Sequence, residues 1–594
     1  MTASGLHSSV FFILSVLYIL STTVHALRNA PITSLSEALF TTTAPPGRSC
    51  LSPADILATT SANLTADEIE LLDYLCIPSH QENDEEVEVD AELRINDRSG
   101  IPPGTPCTPT SWCDSGQCTE ICERGSVSVE PWLANAHRLQ ARLASTLPFC
   151  FSCLFGTHNS AISLSDGYGN LDPYYQALFK YVKWASSDFS KAILRTNNQW
   201  LSLTDQMNLG VRVVEIDTHW VGGVLRIAHC GGFHLGPLNT LVRALNTVAK
   251  IMGKHIRWDT ETMGCDPSLS SIPAMTQRTL TDALQEVADW MKIEENQDEF
   301  LVVFFDDQPN LGEWGVAGKL VETILSIWDT NLIFTQDDLE AEQWIWPSAA
   351  DMVAAGKRLI FISVADYGPA MAPIVFPRGS SVCGWVEPPL RKVYGAPDCV
   401  LKLRRGDEDL FTGSLVRVSS CELEYGPLNC DFVWRKGNNP VFDEANLPGV
   451  LDCGLNIPSP DLLTPARAAA AVWTWAPGHP FDSSSSFDSN GTACAVISAM
   501  DGRWRSVSCS DSSTTIRTAC RRAGTPLESD DQWVLGGGEG ECPNGSAFDV
   551  PRHPRENFWL TQVMRDQGVD AAWLPVQGPE WAVDGVPRFT AYAS

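Results

Sequence analysis

Two stretches carry apolar residues with almost no polar interruption: 300–305, FLVVFF, and 358–365, RLIFISVA. A strand with one wet face alternates apolar and polar positions. An unbroken run of this length predicts a strand buried on both faces. Helical spacing lies beside these runs. Residues 281–291 place Leu284, Val287, Ala288 and Met291 on one face, and 318–328 repeat the style with Leu320, Ile324 and Ile327. Residues 210–220, GVRVVEIDTHW, and 224–230, VLRIAHC, read as further strands. This strand–helix alternation begins near residue 148 and predicts an α/β domain on a parallel sheet. A closed (β/α)8 barrel of TIM type suits its length, with chemistry gathered where strands end.

The strand ends carry reactive side chains. Glu215 and Asp217 are two residues apart and so share a strand face. His229 closes the 224–230 run, and Asp306 with Asp307 follows FLVVFF. A fourth stretch, 151–169, FSCLFGTHNSAISLSDGYG, runs from apolar residues into Thr157, His158, Asn159 and Ser160. One aspartate at a strand end is usually the N-cap of the next helix. Two imidazoles, an amide and several carboxylates at four strand ends predict a site. Histidines exchange protons near neutral pH, and Asn, Asp and Glu oxygens prefer a hard cation, Ca2+ or Mg2+, to zinc. Metal-assisted phosphoryl chemistry is the expectation.

The rest of the chain sets the context. With 594 residues and a net charge of −31, the protein lacks an electrostatic footprint for nucleic acid. Residues 1–26 read as a secretory signal peptide, with the apolar core VFFILSVLYI at 10–19 and small residues at Val24 and Ala26. No later segment has the length and apolarity of a membrane span. Residues 27–106 read as a linker or prosegment, with a helix candidate at 65–75 and a like-charge block at 81–90. Residues 107–122 hold four cysteines and predict a small knot with two disulfides. The nineteen cysteines fit a secreted protein, and their odd number leaves one thiol free or paired outside the chain. Asn63, Asn490 and Asn544 stand in glycosylation sequons. His219 and His234 read as satisfied or exposed histidines, and the aromatics of 473–480, WTWAPGHP, as packing residues.

In order, Gly156-Thr-His-Asn-Ser160, 208–217 (NLGVRVVEID), Ile227-Ala-His229 and 301–306 (LVVFFD) resemble the X-domain of phosphatidylinositol-specific phospholipase C. The likeness covers residues 140–480. It implies a distorted TIM barrel in which His158 is the general base and His229 the general acid. It also implies Asn159, Glu215, Asp217 and Asp306 as ligands of Ca2+ (or Mg2+). Asp306 stands where that family usually has glutamate. The implied partner is a phospholipid or other phosphodiester substrate, met at a membrane surface. Glu215-x-Asp217 with the later His229 also resembles glycerophosphodiester phosphodiesterases, although the His-Arg pair that opens that motif is absent. A catalytically dead glycan- or surface-binding protein is the non-enzymatic alternative. Residues 481–594 resemble the final third of a C-type-lectin-like module, and read otherwise as a small disulfide-stapled appendage.

Overall fold

A computed structural model describes residues 100–168, 197–228, 277–420, 441–480, 493–509 and 516–577, except 103, 115–116, 222, 308–309, 314, 404–405 and 539. The signal peptide, the 65–75 helix candidate, the acidic block, His229, Cys230, His234, Asn63 and Asn490 lie outside the described residues. All described residues belong to one compact unit, Arg98–Asn170, Thr196–His229 and Ile272–Ser594.

The cysteine knot is a hairpin of β1 (Pro109–Asp114) and β2 (Gln117–Cys122), closed by Cys107–Cys122 and Cys113–Cys118. The main sheet follows, with β3 (Gly156–Thr157), β4 (Val213–Val221), β5 (Val224–Ile227), β6 (Leu301–Asp306), β7 (Leu359–Ser363) and β8 (Val375–Pro377). Strands β3, β4, β6, β7 and β8 are parallel neighbours in chain order. β5 departs from the expected alternation because it turns straight back on β4 as an antiparallel partner, Thr218 opposite Ile227. The turn at 222–223 is too short for a crossover helix, so only a hairpin can form there.

The unbroken apolar runs are explained by burial on both faces. Val302, Phe304, Ile360, Ile362 and Phe376 enter one apolar cluster with Val213, Trp385, Leu415 and Ile457. Their neighbours Leu301, Val303, Phe305, Leu359 and Phe361 enter another with Leu284, Val287, Leu320 and Ile324 of the covering helices. Those helices are Leu280–Lys292 and Ala317–Ile327, each within a residue of its expected span. The Thr279 hydroxyl caps the first by accepting from the Asp282 N–H.

Beyond β8 come a small antiparallel sheet, β9 (Val393–Tyr394), β10 (Val400–Leu403) and β11 (Gly406–Glu408), and a parallel pair, β12 (Arg417–Ser419) and β13 (Ile457–Ser459). The chain around β13 lies against the first strand, since the Leu154 and His158 N–H groups donate to Asn456 O (2.8 Å) and Pro460 O (3.3 Å). The approach to β3 is tied by Cys150–Cys383, whereas Cys153 is a free thiol.

The C-terminal strands β14 (Ala493–Ser498), β15 (Trp504–Ser508), β16 (Ile516–Arg522), β17 (Trp533–Leu535), β18 (Ser546–Phe548) and β19 (Ala571–Gln577) form a mixed sheet with the helix Pro554–Asp566. Two disulfides, Cys494–Cys509 and Cys520–Cys542, staple it. It packs on the rest of the unit through aromatics: Trp504 meets Trp473 and Trp475 edge-on, and Phe411 lies against His553 and Trp559. The tryptophans of 473–480 are therefore packing residues. Asn544 is exposed on a turn. No helix among the described residues is long and apolar enough to cross a membrane.

His137, on the helix Pro131–Ser145, joins that helix to the core. Its ring stacks on Phe155 at 5.6 Å, and its Nε2 donates to Ala468 O at 2.9 Å. Burial lowers its pKa to about 4, with the Ala468 bond opposing and Arg212 adding to the fall. The folded protein thus resists a proton that the unfolded chain accepts below pH 6.5. Stability should be complete above that pH and fall by about 3 kcal/mol as pH drops to about 4. Denaturant titrations at pH 7 and pH 4.5 check this: His137→Gln should lose less stability between the two than wild type, and an equal loss would contradict it.

Candidate active site

Strand register assembles the acidic part of the site. Glu215 and Asp217 alternate with the outward Val214 and Ile216 along β4, and Asp217 stands directly opposite Asp306 on β6. Facing side chains of register partners share a sheet face. Carboxylate oxygens of Glu215, Asp217 and Asp306 accordingly lie within 4.8 Å of one another. Asp307, one residue on, turns the other way: the Ser363 hydroxyl bonds its carboxylate (2.9 and 3.0 Å), and it is structural.

The three carboxyls have different electrostatic settings. Burial works against ionisation of Glu215, but the Arg417 guanidinium, aided by His158, holds its pKa below the usual range. Arg417 is itself buried, ion-paired to Glu215 and to Glu387 (2.9 Å), and donates to Ser459 Oγ (3.2 Å). Burial raises Asp217 well above a normal aspartate, with Asp306 and Glu215 adding repulsion. Burial likewise raises Asp306 to about 6, with Glu215 and Glu387 contributing. Asp217 Oδ1 is buried without a hydrogen-bond partner. Three crowded carboxyls, one with an orphaned oxygen, form a donor set that fits a hard divalent cation.

The 157–160 tetrad stands beside this cluster. Asn159 adopts a left-handed backbone, φ 43°, which asparagine tolerates better than most residues. The turn lets its N–H donate to Glu215 Oε2 at 2.9 Å. Its side-chain Nδ2 donates to Asn198 Oδ1 at 3.1 Å, leaving the amide oxygen as the atom available to a ligand. Thr157 and Ser160 are structural: Ser160 Oγ receives the Glu215 N–H at 2.8 Å, and Thr157 Oγ1 bonds Gln206 at 2.7 Å.

His158 is the end of a second network. Its Nδ1 bonds Asp461 Oδ1 at 2.7 Å, and Asp461 Oδ2 accepts from Asn198 Nδ2 at 3.1 Å. Nδ1 is thereby occupied and Nε2 is left for substrate. Burial alone would lower the His158 pKa, but Asp461 and then Glu215 outweigh it and raise it above 6.5. An imidazole oriented by a buried carboxylate is a stronger base than a free one.

The structure thus brings together His158, Asn159, Glu215, Asp217 and Asp306. The β4–β5 hairpin returns the chain to this end of β4, where the Ala228 N–H donates to Asp217 O (3.2 Å); His229 itself is outside the described residues. Sequence reasoning misses Asp461, Arg417, Glu387 and Asn198. Asp461 follows a short strand with Pro458 inside it and Pro460 just after it, which disguise it as a loop. Arg417 leaves one signal, a charge inside the apolar run LVRV, which marks it as unusual but names no partner, and Asn198 carries no sequence signal.

No family model matches the chain, and no solved structure matches it. It is similar to two proteins of Mycobacterium tuberculosis, "Uncharacterized protein MT2135" (strain CDC 1551 / Oshkosh) and "Uncharacterized protein Rv2075c" (strain ATCC 25618 / H37Rv). Each is 25% identical over 473 residues, covering 75% of this chain and 80% of the relative. Neither name states an activity, so the functional reading rests on the site.

Asp217→Asn removes one of three crowded carboxyls without changing shape. With chelator present it should stabilise the protein by about 1–3 kcal/mol, and added Ca2+ should no longer raise its melting temperature. Thermal unfolding with Ca2+ and with EDTA reads both effects. A Ca2+-dependent rise retained in the variant would contradict the ligand assignment.

Proposed function

We propose that this protein is a secreted phosphoric diester hydrolase of the phosphatidylinositol phospholipase C-like type, built on a closed (β/α)8 barrel. The observation that carries the reading is His158, oriented through Nδ1 by Asp461 at 2.7 Å, next to the Glu215–Asp217–Asp306 cluster. The parallel order β3-β4-β6-β7-β8 and the contact of the β13 chain with the first strand support the barrel. Six disulfides among the described residues support export.

In this reading the substrate is a glycerophospholipid or inositol phosphodiester. His158 Nε2 takes the proton of the attacking hydroxyl, and Asp461 stabilises the imidazolium that results. His229, assigned by the resemblance, gives a proton to the departing alkoxide. Asn159, Glu215, Asp217 and Asp306 would hold Ca2+ or Mg2+, which supplies positive charge against the phosphoryl oxygens. Arg417 keeps Glu215 ionised and fixed for that task.

Purified protein incubated with phosphatidylinositol and with glycerophosphoinositol, with Ca2+ or EDTA, and followed by phosphorus NMR tests the proposal. The expected result is cation-dependent turnover to a cyclic inositol phosphate, lowered by about 10²-fold or more in His158→Ala and His229→Ala. A linear glycerophosphate product would favour glycerophosphodiester phosphodiesterase chemistry, and no turnover with any cation would leave the binding-protein alternative. Because His158 must be neutral to act and its pKa is raised, kcat/KM should fall as pH drops through a limb above 6.5. A limb below 6.5 would remove His158 from the role of base.

A further inference from the structure

Two buried amides connect the candidate base to the candidate cation ligands. Starting from Asp461, Oδ1 meets His158 Nδ1 (2.7 Å) and Oδ2 accepts from Asn198 Nδ2 (3.1 Å); Asn198 Oδ1 then accepts from Asn159 Nδ2 (3.1 Å). Asp461, Asn198 and Asn159 are 0%, 1% and 2% exposed, so bulk water cannot replace any link.

The direction of this chain is not free. An ionised carboxylate only accepts hydrogen bonds, so Asn198 must turn its NH2 to Asp461. Its oxygen must then face Asn159, which answers with its own NH2. Reversing either amide would set oxygen against oxygen or NH2 against NH2 in a buried site. Asn198 cannot escape by shifting, because its N–H donates to Ile162 O (2.9 Å) and its carbonyl accepts from Leu462 N (2.7 Å). Its neighbour Gln199 clamps both sides of the site, donating through Nε2 to His158 O (2.7 Å) and Pro460 O (3.0 Å).

We infer that Asn198 is a positioning residue that transmits the polarity of Asp461 to Asn159, so that Asn159 presents its carbonyl oxygen, not its NH2, to a divalent cation. This rests on the cation-binding part of the proposed function and adds a coupling to it. Asp461 and Asn198 are not among the proposed ligands, yet both set the quality of an oxygen ligand. The charge that orients the base also orients the metal site.

Calorimetric titration of Ca2+, and separately Mg2+, into the full-length protein tests this without any substrate. Asn198→Leu and Asp461→Asn should each weaken cation binding about 10-fold, the usual scale for partners that orient a ligand. The double variant should be no weaker than either single one, because both break the same chain. Asn198→Asp keeps an acceptor for Asn159 Nδ2 and should bind at least as tightly as wild type. A merely structural role predicts the reverse, since it buries a second carboxylate beside Asp461. Wild-type affinity in both Asn198→Leu and Asp461→Asn, additive losses, or Asn198→Asp as the weakest binder would overturn the inference and leave the cation site standing. If Asn198→Leu does not fold, Asp461→Asn and Asn198→Asp decide it. Failure of wild type to bind either cation would remove the cation site and this inference with it.

Discussion

Arg417 ties four segments of the structure to one buried charge. From β12 it pairs with Glu215 on β4 and with Glu387, bonds Ser459 on β13, and lies 5.0 Å from the centre of the Phe304 ring on β6. A charge this deeply buried is tolerated only when its hydrogen-bonding capacity is met, and removing one partner strands the other. Glu215 depends on it most. Without the guanidinium, burial would favour the protonated acid, and both the Asn159 turn and the carboxyl cluster would lose their anchor. The arginine is therefore a condition for the rest of the site.

Around that fixed pair, carboxyls are divided into distinct tasks by their surroundings. Asp461 is committed to His158 and Asn198, and Asp307 to Ser363. Among the described residues no cationic side chain is bonded to Asp217 or Asp306, and both retain protons more readily than free aspartates. Neighbouring carboxyls with opposite shifts are typical of sites that bind cations or move protons. The apolar column beneath them, from Val213 through Phe304 to Phe376, keeps the strands rigid where the polar groups need fixed geometry.

Much of this was legible in the residues. Unbroken runs such as FLVVFF mark strands buried on both faces, and i, i+2 spacing places Glu215 with Asp217. Asp306 could be placed only by parallel register, which the apolar pattern implies but does not number. Groups from distant chain segments were not legible. Asp461 is 303 residues from His158, and Arg417 is 202 from Glu215. Such contacts arise when the chain around β12 and β13 is laid beside β3 and β4, and local spacing carries no trace of them. The direction of β5 was not legible for a related reason, since its apolar pattern is the same whether it pairs parallel or antiparallel. The residues report burial and face; pairing across the sheet is a property of topology.

The proposed function makes His158 and the acidic cluster one cation-assisted site acting on a phosphodiester. A crystal structure with Mn2+ and an inositol phosphate, using anomalous scattering to place the metal, tests it most directly. The expected result is an anomalous peak among Asn159, Glu215, Asp217 and Asp306, with His158 Nε2 within hydrogen-bond distance of a ligand hydroxyl. A peak elsewhere, or a ligand bound away from His158 while the cluster stays metal-free at saturating Mn2+, would contradict it.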